Sequence, residues 1–82
     1  MASEQDIRAA VRSFITTNIP DALTLADDAN LISTRLMDSI VALKLVNYLE
    51  ETFKIEFEAH EVVQENLDSI NIIVSFVQSK MK

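Results

Sequence analysis

The chain has 82 residues, 49% of them hydrophobic and 24% charged, with a formal net charge of −6. That length supports a single domain, residues 1–82, which buries only about 60–65% of its unfolded surface and leaves little room for an enclosed active site. The acidic balance opposes binding to nucleic-acid phosphates and anionic membrane surfaces, and the absence of cysteine and glycine excludes disulfides, thiolate metal sites and glycine-rich phosphate loops.

The opening Met1-Ala2-Ser3-Glu4-Gln5-Asp6 is polar, so neither a signal peptide nor a membrane span is expected, and a cytoplasmic location follows. Ser3 followed by Asp6 marks a helix start, and Ile7, Val11, Phe14 and Ile15 then share one face, which predicts a first helix over residues 4–17. Asn18 is expected to close it in a left-handed conformation, because Pro20 cannot continue a helix and disfavours one at Ile19. From 19 to 37 the apolar residues Leu23, Leu25, Leu31, Ile32 and Leu36 fit no period, so this stretch reads as a long loop pinned by its leucines. Asp38 is a good N-cap, and Ile40, Leu43, Val46, Leu49 and Phe53 behind it form the stripe of a second amphipathic helix. A short helix is expected over residues 59–64. Asn66 or Asp68 is expected to cap a last helix, in which Ile70, Ile73, Val74 and Val77 share a face and Lys80 and Lys82 complement the dipole. The fold class is therefore all-α: a small four-helix bundle of three main helices and one short one, with a long loop between the first two.

Little in this chain can do chemistry unaided. A catalytic triad lacks candidates, since His60 is the only histidine and a Gly-x-Ser-x-Gly elbow is impossible without glycine. His60 with Glu58, Glu61 and Glu65 makes a poor metal site, and no metal is expected; Asp27-Asp28 and Glu50-Glu51 read as solvated faces. The segment that stands out is Leu31-Ile32-Ser33-Thr34-Arg35-Leu36-Met37-Asp38-Ser39-Ile40, which runs from the loop into the second helix.

Asp38-Ser39-Ile40 resembles the Asp-Ser-Leu motif of acyl and aminoacyl (peptidyl) carrier proteins. The similarity extends through Leu49-Glu50-Glu51-Thr52-Phe53-Lys54-Ile55-Glu56-Phe57 and Glu65-Asn66-Leu67-Asp68-Ser69-Ile70, covering about residues 31–77. It implies that Ser39 carries covalent 4′-phosphopantetheine, that Asp38 belongs to the recognition motif, and that the chain itself is not an enzyme. The implied partners are a phosphopantetheinyl transferase, a loading enzyme (an adenylate-forming ligase or an acyltransferase), and downstream synthase or tailoring enzymes. The approach to Ser39 looks most like that of discrete carriers in polyketide or nonribosomal peptide pathways, and a discrete monomer is expected. Elementary physics agrees, because a serine in a first helical turn lies beside unpaired amides and the positive dipole end, which suit a phosphodiester.

Asp68-Ser69-Ile70 repeats the same three letters, and Ser69 is expected to be only a helix-start residue. Arg35 and Lys54 stand where such carriers usually have glycine; if either needs a positive φ, it costs on the order of 1 kcal/mol. Val41 and Lys44 occupy positions that are often carboxylates in the family. Met37, Ile40 and Val41, with Leu36, are expected to form an apolar docking patch, with Glu50 and Glu51 steering basic partners. The rival reading is a helical interaction adaptor in which the serine motif is accidental.

Overall fold

In the computed structural model, which describes residues 3–20 and 25–81, four helices follow one another: α1 (Glu4–Asn18), α2 (Ser39–Phe53), α3 (Gln64–Leu67) and α4 (Ile70–Lys80). Three are long, α3 is a single turn, and no strand occurs among the described residues. This is the expected all-α bundle with a long connection between its first two helices.

The first helix begins on the predicted capping box. The Ser3 hydroxyl accepts the Asp6 N–H at 3.2 Å, and the Asp6 carboxylate accepts the Ser3 N–H at 3.1 Å, satisfying two amides that the helix start would leave unpaired. At the other end Asn18 stays helical rather than turning left-handed. Its amide group donates to the Phe14 carbonyl at 2.9 Å, and the break falls at Ile19, whose backbone (φ −135°, ψ 87°) leaves the helical region that Pro20 disfavours for its predecessor.

Helix α1 buries Ile7, Val11 and Ile15 against α4, which returns Ile70, Ile73, Val74 and Val77. Each such side chain fully removed from water contributes about 1.5–3 kcal/mol. The second helix packs on α1 with Ala42, Leu45, Val46 and Leu49, and Phe14 stacks on Tyr48 with ring centres 5.0 Å apart. That buried face is not the predicted stripe: Ile40 and Leu43 lie 62% and 54% exposed. Both faces contain Val46 and Leu49, and the helix is apolar at 40–43, 45, 46 and 49, so periodicity alone could not choose between them.

After α2 the chain turns at left-handed Lys54, buries Ile55 and stacks Phe57 on Phe76 of α4, with centres 5.2 Å apart. The short helix sits later than expected. Residues Ala59–Glu61 form only a 3-10 turn, and the α-helical turn falls at Gln64–Leu67. Asn66 lies inside α3 and donates to the Glu61 carbonyl, so neither it nor Asp68 caps the last helix; the Ser69 hydroxyl does, accepting the Ile72 N–H at 3.1 Å. Near the end of α4, Lys80 pairs with Glu61 at 2.6 Å and lies over the Phe76 ring. Hydrogen bonds from the Glu58 N–H and from Lys80 hold the Glu61 carboxyl below the ordinary range.

Candidate functional site

The loop into α2 is pinned as its leucines predicted, with Leu31 fully buried and Leu25 and Ile32 packed on the core; Leu23, also expected to anchor it, lies outside the described residues. Two carboxylates anchor the loop as well. Asp27 accepts from both Arg8 (2.9 Å) and Arg12 of α1, while Arg12 also donates to the Leu25 carbonyl at 2.9 Å. The hydrogen bond from Arg12, joined by Arg8 and opposed by partial burial, holds the Asp27 carboxyl below its usual range.

Asp68, at the α3–α4 junction, forms the second anchor. One of its oxygens, Oδ1, accepts the N–H groups of Leu31, Ile32 and Ser33 at 3.1, 2.8 and 3.0 Å, and Oδ2 accepts the Ser33 hydroxyl at 2.9 Å. The Ser33 N–H is the strongest influence keeping this carboxyl ionised to lower pH than usual, opposed by burial and aided by the Ser33 hydroxyl and the other two amides. From there the chain makes a tight turn. The Arg35 N–H donates to the Ile32 carbonyl at 2.9 Å with Arg35 left-handed at φ 65°, and the Met37 N–H donates to the Leu31 carbonyl at 2.9 Å. A non-glycine residue does stand in the strained region here, as another does at Lys54 with φ 57°.

The turn delivers Asp38 in extended conformation as the N-cap of α2, its Oδ1 accepting the Val41 N–H at 2.9 Å and its carbonyl accepting the Ala42 N–H at 3.0 Å. Ser39 is therefore the first residue of α2, and it is exposed. Capping occupies the Val41 and Ala42 amides, which leaves Ser39 and Ile40 as the first-turn donors still unused among the described residues. No acidic side chain lies in that first turn. An anion on the Ser39 hydroxyl would meet unpaired N–H groups and the positive end of a helix of 15 residues, so the donor set fits a phosphodiester. Ser39 also lines a groove of about 270 Å³ whose apolar lining includes Ile32, Ala42, Leu43, Val62, Val63 and Leu67.

The other serine of the repeated motif is in a different situation. Ser69 is 4% exposed and its hydroxyl is engaged in capping α4, as the sequence suggested.

The expected docking patch is only partly on the surface. Met37 is 1% exposed, a core side chain that locks the turn rather than a contact for partners, and Val41 and Leu36 are half-buried. Ile40 is exposed, and so are Leu43, a member of the stripe expected to face the core, and Val63, for which the sequence carries no signal; Leu43 and Val63 both line the groove beside Ser39. Glu51 is exposed; Glu50 instead accepts the Phe57 N–H at 2.8 Å and ties down the turn after α2. Lys44 is exposed on the same helix. His60 is exposed with its ring 3.5 Å from the Glu58 carboxylate, and no group of three metal-binding side chains comes together among the described residues. No helix among them is long and apolar enough to cross a membrane.

Residues 5–77 match the family model described as the phosphopantetheine attachment site. No curated protein matches the chain.

Proposed function

The chain belongs to the phosphopantetheine attachment-site family, whose members carry 4′-phosphopantetheine covalently on a serine, and from that premise we propose that Ser39 is the serine modified here. The observation that carries the choice is the contrast in hydroxyl availability: Ser39 is exposed at the first position of α2, whereas Ser69 is buried and engaged as a cap.

A separate phosphopantetheinyl transferase supplies the chemistry. The Ser39 oxygen forms a bond to the phosphorus of coenzyme A's pantetheine phosphate, the pyrophosphate bond breaks, adenosine 3′,5′-bisphosphate leaves, and the hydroxyl proton passes to a base of the transferase. When bound, the group supplies a terminal thiol on which an acyl or aminoacyl cargo is held as a thioester. This chain's own residues fix the geometry. Asp38 caps α2, the uncommitted amides of Ser39 and Ile40 would be available to a phosphodiester on the serine, and exposed Ile40 and Leu43 offer apolar contact to enzymes that act at the site, with Glu51 at the far end of the helix. The carrier does no catalysis; tethering presents its cargo at high effective concentration to each enzyme that docks. The approach Leu31-Ile32-Ser33-Thr34-Arg35-Leu36-Met37 to Ser39 supports a role in polyketide or nonribosomal peptide synthesis, with an adenylate-forming ligase or an acyltransferase loading the thiol.

Intact-mass measurement before and after incubation with coenzyme A and a broad-specificity phosphopantetheinyl transferase tests this reading. Wild type and Ser69→Ala gain one phosphopantetheinyl group and Ser39→Ala gains none. A folded wild-type chain that gains nothing favours the adaptor reading, and a gain that survives Ser39→Ala but not Ser69→Ala reverses the assignment.

A further inference from the structure

The second Asp-Ser-Ile segment is only half explained by helix capping. Ser69 caps α4, but Asp68 turns away from that helix and commits both carboxylate oxygens to the loop that leads to Ser39. Its backbone carbonyl joins in, accepting the Leu31 N–H at 2.7 Å.

Consecutive bonds link this clamp to the helix start. The carboxylate fixes the amides of 31–33, the Leu31 carbonyl holds the Met37 N–H, Leu31 and Met37 are both buried, and Asp38 then caps α2. Between Ser33 and Asp38 only the left-handed turn at Arg35 intervenes. Resting on the assignment of Ser39, we propose that Asp68 is a positioning residue for the modification of Ser39, acting as a four-point clamp on the 31–33 turn that sets where α2 begins and how its first residue is presented to the transferase.

The geometry favours this over a general stabilising role, because the bonds run to one turn rather than across the core. Three amide donors converge on a single oxygen, an arrangement that replaces solvent for a segment with no regular secondary structure of its own. None of these bonds involves α1 or α4, so removing the carboxylate is expected to release the approach to Ser39 without opening the packing of those helices. Group transfer depends steeply on placement, and a misplacement of about 1 Å can cost on the order of a hundredfold.

The experiment compares wild type with Asp68→Asn, Asp68→Ala and Ser33→Ala as transferase substrates, with amide hydrogen exchange measured on each unmodified chain. In Asp68→Ala the amides of Ile32 and Ser33 exchange faster, while Leu31, still held by the Asp68 backbone carbonyl, and Val11 and Val77 keep their protection, and kcat/KM for modification falls on the order of tenfold or more. Asp68→Asn, which keeps one carbonyl oxygen, and Ser33→Ala, which loses the hydroxyl contact, give smaller losses in the same order. Should Asp68→Ala fail to fold, those two variants carry the comparison. Undiminished kcat/KM in a variant whose Ile32 and Ser33 amides exchange freely overturns the positioning role, as does continued protection of those two amides without the carboxylate. Failure of wild type to be modified at all instead overturns the assignment of Ser39, so the two ideas fail separately.

Discussion

Residues 38–40 and 68–70 spell the same tripeptide, and each opens a helix, yet the two frames differ by one residue. At the first, Asp38 is the cap and the serine is the first helical residue; at the second, the serine is the cap and Asp68 closes the preceding turn in helical conformation. The cause lies upstream. Asp38 follows a loop and can adopt the extended backbone that an N-cap requires, whereas Asp68 directly ends α3, so extended backbone is first possible at Ser69. That shift decides whether a hydroxyl is consumed by the helix or left free to react. It also decides the third residue, since Ile40 faces solvent and Ile70 is in the core.

Truncating the two isoleucines separates the two frames most widely. Ile70→Ala costs about 2–5 kcal/mol and Ile40→Ala less than about 0.5 kcal/mol in denaturant unfolding, although the sequence context is nearly the same. Equal losses would mean that the two frames do not differ. Smaller effects separate the caps: Ser69→Ala and Asp38→Ala each cost about 1 kcal/mol, and Ser39→Ala falls within about 0.5 kcal/mol, all by the same measurement.

The finest distinction is in pH. Asp27 and Asp68 both ionise at lower pH in the folded chain than they would unfolded, so near pH 4 and below the unfolded chain binds more protons than the native one. Their stabilisation is fully present above about pH 4 and is lost as the pH falls through the depressed folded values, so acid unfolding of wild type is steeper than that of Asp68→Asn. Parallel acid profiles for the two proteins would show that the carboxylate contributes little to the folded state.

Much of this was readable in advance wherever the controlling contacts are local. The capping box at Ser3 and Asp6, the Asp38 cap and the break before Pro20 each depend on residues within four positions of one another, and the buried face of α4 on apolar residues recurring every three or four positions. What escaped depends on distant partners. Met37 reads as a surface residue beside the serine because nothing nearby says that Leu31 will draw it into the core, and the Asp68 clamp joins residues separated by 35 to 37 positions. Leu43 reads as a core residue because α2 is apolar on several sides, and only the placement of α1 determines which side is covered.

The two left-handed residues, Arg35 and Lys54, limit how much change this chain can absorb. With no glycine anywhere, both the turn into α2 and the turn out of it are closed by long cationic side chains, each at a cost on the order of 1 kcal/mol. Against a net stability of about 5–15 kcal/mol for a domain, that is a sizeable fraction held in two codons. The helix that presents Ser39 is thus bracketed by the two positions at which a single replacement could most readily lend the domain tolerance for damage elsewhere.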